Sequence, residues 1–316
     1  MKLATYSDGS RDGQLVVVSR DLSTAHFATG IASRLHQLLD DWQFLSPQLE
    51  DLSTTLNQGK ARHAFAFDPR QCMAPLPRSG RWVQVLAGRA AQPAGQAEDA
   101  AATAAAPAAP PAWQTCPGAG DDLLGPHDTV WLADGDPALQ AVPQWVMATG
   151  ELAQGSLPAQ GLESVRLLML ATDWQLPSRD TGRVSVATTF NPVAVTPDEL
   201  GSAWHGGLLQ GPLTLRCNEQ RPQTWPAPPG HGLHAGQMLA LLARHRRLRA
   251  GSLVGCGPLA VAQGAPAAPA GTELAQGRSL VLQPGDRLRL EMLGTDGLSV
   301  FGALDLTVQA AAKGEA

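Results

Sequence analysis

The sequence predicts a β-rich α+β fold, and three observations support this prediction. Short apolar segments of strand length recur along the chain, for example at residues 165–171 and 304–308. Turn signals join neighbouring segments, as at Asp8-Gly9 and Asp296-Gly297. Helical periodicity is confined to a few segments. Many short strands with few helices favour a β-rich roll over a doubly wound parallel sheet.

The chain begins with a predicted β-hairpin that is followed by helices. Residues 3–6 and 15–19 are typical of two strands around an Asp-Gly turn. Residues 23–58 carry apolar side chains every three or four positions, which predicts a helix with one apolar face. Ser46 and Pro47 are expected to interrupt this helix, and a second helix is expected over 48–56. These elements form a predicted small N-terminal domain, residues 1–70.

The remaining chain is predicted to consist of short strands and few helices. Thr196, Pro197 and Glu199 follow the pattern of a capping box, which predicts a helix through Trp204. The turn at residues 294–297 is expected to join two strands. The predicted helices are 157–163 and 234–246, and the predicted strands are 129–133, 144–149, 165–171, 253–254, 279–282, 287–292, 298–301 and 304–308.

Two stretches rich in alanine and proline interrupt this pattern, at about residues 90–118 and 260–272. Proline disfavours a continuous helix or strand, and small side chains bury little apolar area. We therefore expect both stretches to be mobile insertions in a C-terminal domain of residues 71–312.

Composition narrows the functional classes. The chain has 316 residues, of which 44% are hydrophobic and 16% charged, so it can bury a large core and should fold. The net charge of −5 argues against a general nucleic-acid binder. The four cysteines form no C-x-x-C pair, and no apolar run reaches about 20 residues. No signal peptide is recognisable, so we expect a cytoplasmic protein without a membrane partner.

Seven segments carry a resemblance to a known family: KLATYSDGSRDGQLVVVSRDL at 2–22, AFAFDPRQCMAPLPR at 64–78, DDLLGPHD at 121–128, VRLLMLATD at 165–173, FNPVAVTPDELG at 190–201, LRAGSLVG at 248–255 and PGDRLRLEMLGTDGLSVFGAL at 284–304. They resemble bacterial two-domain proteins of the fumarylacetoacetate hydrolase family. The resemblance implies a mixed β-roll or sandwich domain behind a small α+β domain, and usually a dimer. It also implies hydrolysis or decarboxylation of small β-dicarbonyl acids with Mg²⁺ or a similar divalent cation.

The resemblance also assigns the metal positions, and two of the three lack the expected carboxylate. The family's paired strand carboxylates correspond to Val142 and Gln144. The third carboxylate survives as Asp173, either as a relic ligand or as a strand-end residue that bonds to a turn. Mg²⁺ needs several oxygen ligands, so a single carboxylate cannot hold it usefully. We therefore expect no metal cofactor.

The positions that the resemblance assigns to catalysis are also changed. The family's water-activating His and Glu correspond to Trp82 and Gln84, and its lysine corresponds to Ser185. His234 and Gly257 remain as candidates for lining the substrate cleft.

Several metal-ligand and catalytic positions are changed independently of one another, whereas the matching segments around them are retained. This pattern favours a catalytically inactive homologue. Such a protein would be structural or regulatory, paired with itself or with an active paralogue, or would bind a small carboxylic acid without turnover. Trp82 and Trp145 lie beside the changed positions and could plug the cleft. The alternative is an active, divergent hydrolase, decarboxylase or isomerase of fumarylacetoacetate-like or acylpyruvate-like acids, with a rearranged metal site or none.

Overall fold

The computed structural model describes residues 1–87, 113–136, 138–178, 182–226, 233–257, 273–274, 277–278 and 280–311. The strands are β1 (Lys2–Tyr6), β2 (Gln14–Val18), β3 (Thr24–Phe27), β4 (Phe65–Ala66), β5 (Trp82–Ala87), β6 (Trp113–Pro117), β7 (Val130–Leu132), β8 (Leu139–Thr149), β9 (Val165–Ser178), β10 (Gly182–Phe190), β11 (Val193–Val195), β12 (Trp204–His205), β13 (Leu208–Leu209), β14 (Pro212–Cys217), β15 (Gln223–Pro226), β16 (Leu253–Cys256), β17 (Glu273–Leu274), β18 (Gly277–Arg278), β19 (Leu280–Leu282), β20 (Arg287–Met292) and β21 (Leu304–Ala310). The α-helices are α1 (Leu35–Asp40), α2 (Trp42–Asn57), α3 (Pro158–Glu163) and α4 (Ala235–Ala243), and two 3₁₀ helices span Pro69–Gln71 and Pro197–Ala203.

The predicted N-terminal hairpin is present, but the prediction of a helix from residue 23 is wrong. Strands β1 and β2 pair antiparallel, with Thr5 opposite Leu15. Strand β3 then pairs with β2, and the first helix begins only at Leu35. Helical spacing of apolar side chains does not exclude a strand. Here residues 24–27 form backbone hydrogen bonds with the edge of β2 and so add a strand to the sheet.

The predicted interruption at Pro47 is also wrong. Helix α2 continues through Pro47, and the chain instead bends at Asp41, between α1 and α2. Pro47 is the sixth residue of α2 and is exposed, so its missing N–H leaves only the carbonyl of Gln43 without its helical partner. That carbonyl lies in the first turn of the helix. The helix still buries Leu49 and Leu56 beneath the sheet.

One large sheet carries strands from both parts of the chain, in the order β4-β3-β2-β1-β11-β9-β8-β16-β5-β6, with β10 beside β9 and β19 beside β8. The first strand lies in its middle, because Leu3 of β1 pairs with Ala194 of β11. A five-stranded sheet has the order β15-β14-β20-β21-β7. Trp145 of the large sheet and Leu290 of the smaller one share a hydrophobic core. The predicted β-rich architecture is confirmed.

The predicted capping box at Thr196 does not form. The Thr196 hydroxyl accepts a hydrogen bond from the amino group of Met1 at 2.6 Å and makes no cap. A 3₁₀ helix follows instead of an α-helix, and Gly201 breaks its helical geometry with a φ of 52°.

The structure also differs from the predicted strand at 298–301 and from the predicted insertion at 90–118. The strand expected at 298–301 is reduced to a single bridge between Leu293 and Ser299, although the turn before it forms. The end of the expected insertion at 90–118 is strand β6, which pairs with β5. The remainder of that insertion and residues 260–272 lie outside the described residues. No described helix has both the length and the apolarity of a membrane-spanning segment.

Candidate functional site

Adjacent strands of the large sheet bring most of the predicted site positions together. Val142 of β8 lies directly opposite Asp173 of β9. Gln144 projects from the same face of β8, because it is two residues farther along the strand. On the other side of β9, Thr188 of β10 lies opposite Asp173. Gln84 reaches the same carboxylate from β5. We call this group, together with Trp82, Gln175 and Ser185, the Asp173 cluster.

The Asp173 carboxylate is fully buried, and neutral donors surround it. Its Oδ1 accepts hydrogen bonds from the hydroxyl of Ser185 at 2.6 Å and from that of Thr188 at 3.0 Å. Its Oδ2 accepts one from Nε2 of Gln175 at 2.7 Å. The side chain of Gln84 completes the set. Both carboxylate oxygens are therefore already in use within the protein.

The pKa of Asp173 lies above its ordinary value of 3.8, and burial is the main cause. The hydrogen bonds from Ser185, Gln84, Gln175 and Thr188 oppose this rise in pKa because they stabilise the charged form. Burial also raises the pKa of the nearby Cys116 thiol, and the charge of Asp173 adds to that effect. The described surroundings of Asp173 thus contain hydrogen-bond donors but no cation.

The indole ring of Trp82 fills the space next to this carboxylate. Trp82 is 3% exposed, and its Nε1 donates to the Thr188 hydroxyl at 3.3 Å. A Cβ atom at Gly255 would lie 2.6 Å from the ring, and a Cβ at Gly118 would overlap it. Phe190 packs against the ring at a centroid distance of 6.2 Å. The two glycines therefore leave room that the indole occupies.

Trp145 does not take part in this arrangement. It follows Gln144 on β8, so its side chain points to the opposite face of the sheet. There it contacts the ring of Trp204 edge-on, at a centroid distance of 5.7 Å. Among the two tryptophans beside the changed positions, only Trp82 lies in the Asp173 cluster.

Within the Asp173 cluster, Gln144 is a buried polar side chain that lacks hydrogen-bond partners. It is fully buried, and neither its Nε2 nor its Oε1 has a hydrogen-bond partner among the described residues. Its side chain packs against Gly255 and Gly257, where a Cβ atom would approach it to 2.5 Å and 2.7 Å. The predicted cleft residue Gly257 therefore does lie beside the cluster.

His234, the other predicted cleft residue, lies elsewhere. It is the N-cap of α4, and its Nδ1 accepts a hydrogen bond from the backbone N–H of Gln237 at 3.4 Å. Its Cβ lies near Gly207 and not near the residues around Asp173. The contacts of the described residues give His234 a capping role, and its place in a substrate cleft stays a prediction.

The residues present do not fit the divalent cation that the resemblance implies. Mg²⁺ and similar ions take several oxygen ligands, chiefly carboxylates. Asp173 is the only carboxylate in the cluster, and Val142 offers no ligand atom. Nowhere in the described part of the chain do three or more His, Cys, Asp or Glu side chains form a potential metal-binding group. We derive no metal-dependent step from this site.

Sequence reasoning missed two members of the cluster, Gln175 and Thr188. The spacing of two residues on one strand would have placed Gln175 on the same face as Asp173. No comparable signal identified Thr188, because its position depends on the register between β9 and β10. That register contains an irregularity between Ser185 and Ala187, which sequence alone does not reveal.

Comparisons with known proteins agree with this architecture. Residues 1–78 match the family model for fumarylacetoacetase N-terminal domain 2. The search of curated proteins found no match. The chain is similar in structure to maleylpyruvate hydrolase from Sphingobium sp. SYK-6, solved with manganese(II) and pyruvate, at a TM-score of 0.67 and 15% identity over 99% of this chain and 100% of that one.

Two further solved structures show the same likeness. Fumarylacetoacetate hydrolase from Exiguobacterium antarcticum has a TM-score of 0.63 at 16% identity, over 98% of this chain and 100% of that one. The 5-carboxymethyl-2-hydroxymuconate delta-isomerase from Mycobacterium smegmatis has a TM-score of 0.60 at 15% identity, over 99% and 100%. At these identities the likeness concerns the fold. Residues 1–78 therefore match a fumarylacetoacetase domain, and over nearly its whole length the chain has the fold of these solved hydrolases and isomerase.

Proposed function

We propose that this protein is a catalytically inactive member of the fumarylacetoacetate hydrolase family, with a structural, regulatory or ligand-binding role. The observation that carries the proposal is the hydrogen bonding of Asp173. Its two oxygens are held by Gln175, Ser185 and Thr188, and among the described residues it belongs to no group of three or more potential metal ligands. A lone carboxylate in this state is a poor ligand for a hard cation.

The position of Trp82 supports the same proposal. Its indole ring lies next to the donors of Asp173 and is almost entirely buried. A substrate that approached Asp173 from this side would have to displace the ring. Displacement would expose a large apolar side chain and would cost several kcal/mol of free energy, roughly 3–5 by analogy with its removal.

A second candidate function is a divergent hydrolase, decarboxylase or isomerase of small β-dicarbonyl acids. One observation favours it. Ser185 is only partly buried, and its hydroxyl lies 2.6 Å from a carboxylate whose pKa is raised. A hydroxyl beside a basic group is the usual starting point for nucleophilic catalysis, although the described surroundings supply no histidine to complete it.

Proteins of this family are usually dimers, which suggests what an inactive member would bind. We propose a homodimer, or a heterodimer with an active paralogue, located in the cytoplasm. In a heterodimer the inactive chain would act through its scaffold, and a retained cleft could hold a small carboxylic acid without turnover.

The proposal is tested by metal binding and turnover on the purified full chain. Calorimetric titration with Mn²⁺ should show no binding tighter than about 10 μM, or ~7 kcal/mol. An acylpyruvate substrate should not be hydrolysed, with or without a chelator.

The matched control is Asp173→Asn, which keeps the size of the side chain and removes its charge. If the wild-type protein hydrolyses acylpyruvate in a chelator-sensitive manner and Asp173→Asn does not, the second candidate is correct and the proposal of inactivity is wrong. Chelator-insensitive hydrolysis that Ser185→Ala abolishes would favour the serine-dependent version of the second candidate.

A further inference from the structure

A cavity of about 570 Å³ lies between the helical corner of the N-terminal region and the start of strand β9. Its volume is typical of small-molecule sites. The guanidinium of Arg166 lines it, together with Trp42 and Phe44 of helix α2 and Gly150 after strand β8. We call it the Arg166 cavity. It lies apart from the Asp173 cluster, with which it shares no residue.

The guanidinium of Arg166 is held in place on several sides. It lies over the Trp42 ring, 5.7 Å from the ring centroid. Its Nη1 donates to the backbone carbonyl of Glu163 at 3.2 Å. Gly150 leaves room for it, because a Cβ atom there would lie 2.8 Å from Nε and 3.1 Å from Nη2. These contacts fix the orientation of the cation.

Arg166 forms no ion pair with the described residues, and its Nε is buried without a hydrogen-bond partner. Burial lowers the pKa of the Arg166 guanidinium, and no acidic group opposes that effect. By contrast, Arg249 on the same cavity is paired with Glu151 at 2.9 Å. A partly buried charge without a counter-ion is costly, and an anionic ligand would supply one.

The rest of the lining indicates what kind of anion fits. Trp42 and Phe44 supply aromatic surface, and Phe44 is 82% exposed although it is strongly apolar. Asp40 and Asp41 are exposed acids on the same rim. Their charges oppose a dianion more strongly than a monoanion. The lining therefore favours a single carboxylate attached to an apolar or aromatic body.

We propose that the Arg166 cavity binds a small organic monocarboxylate, with the carboxylate on Arg166 and the apolar body against Trp42 and Phe44. Arginine suits this task because its planar donors match the geometry of a carboxylate. The site does not depend on whether Asp173 takes part in catalysis.

Benzoate is the probe that tests this proposal, with benzamide as its uncharged analogue. Benzoate should raise the melting temperature of the full-length protein, and benzamide should not. Calorimetry should show that Arg166→Gln weakens benzoate binding by roughly tenfold or more, since a charge-assisted contact is lost. Arg216→Gln removes another partly exposed arginine, away from the cavity, and should leave benzoate affinity unchanged.

Gly150→Ala is a second variant that retains the arginine. Its added methyl group would crowd Nε and should push the guanidinium from its position, with the same loss of benzoate affinity. This variant decides the question if Arg166→Gln does not fold. Benzoate binding that survives both changes, equal binding of benzamide, absence of any benzoate effect, or preferential binding of inorganic phosphate would each overturn the proposal. None of these results bears on metal binding or acylpyruvate turnover, so the two proposals fail independently.

Discussion

At the scale of single residues, Asp173 is bound into the sheet by its neighbours. Three side chains on β9 and β10 donate to it, and all the groups involved are buried or partly buried. Removing an acceptor from such a group leaves its donors without partners, which usually costs more than the hydrogen bonds contributed.

Asp173→Ala should therefore destabilise the protein by about 2–4 kcal/mol, because Ser185, Thr188 and Gln175 all lose an acceptor and a cavity remains. Asp173→Asn should cost less, since the amide oxygen can still accept. Urea unfolding followed by tryptophan fluorescence measures both. Asp122→Ala, at an exposed position, is the control and should change stability by less than about 0.5 kcal/mol. Equal stability of Asp173→Ala and wild type would show that the cluster does not stabilise the fold.

At the scale of elements, two side chains of strand β8 distinguish the present site from a site with three carboxylates. Val142 lies opposite Asp173, and Gln144 follows on the same face. The combined substitution Val142→Glu and Gln144→Glu should create hard-cation binding. Without metal the melting temperature should fall, because like charges would be buried together. With Mn²⁺ it should rise again.

Differential scanning calorimetry with and without Mn²⁺ measures this gain. Adding Asp173→Asn to the double variant should abolish the response to Mn²⁺, because one of the three ligands is lost. A response that persists in the triple variant, or no response in the double variant, would mean that these three side chains do not converge.

The sequence predicts correctly those elements whose pattern lies within a short segment. It fails for elements whose conformation is set by pairing with another strand. The Asp-Gly turn predicts the β1–β2 hairpin, and the apolar run from residue 165 predicts the long buried strand β9. The sequence pattern of β3 predicts a helix, because only the ladder between β3 and β2 distinguishes a strand from a helix here. In the candidate site, the family resemblance assigns Val142 and Gln144 to one strand, whereas the approach of Thr188 depends on a register that no local pattern reports.

At the scale of the whole molecule, exposed apolar side chains bear on assembly. Trp131 is 56% exposed on β7, the edge strand of the five-stranded sheet. Val184 and Val186 on β10 are 47% and 42% exposed. Apolar residues on strand edges are typical of surfaces that another chain covers.

We therefore expect a two-fold symmetric dimer. Light scattering at micromolar concentration should give the mass of two chains. A heterodimer with an active paralogue would instead appear in a pull-down of the tagged chain from its native host. A monomeric mass with no paralogue captured would contradict both forms of the proposal.

The pairing of β1 with β11 has a consequence for how the chain reaches its folded state. Leu3 can find Ala194 only after well over half of the polypeptide has been synthesised. Until then the apolar edge of β1 has no neighbour, although the local hairpin with β2 can already form. Contacts between such distant parts of a sequence slow folding. Until they form, an intermediate with exposed apolar surface is prone to aggregate. Production of this protein should therefore benefit from slow translation and from chaperones that shield nascent strands.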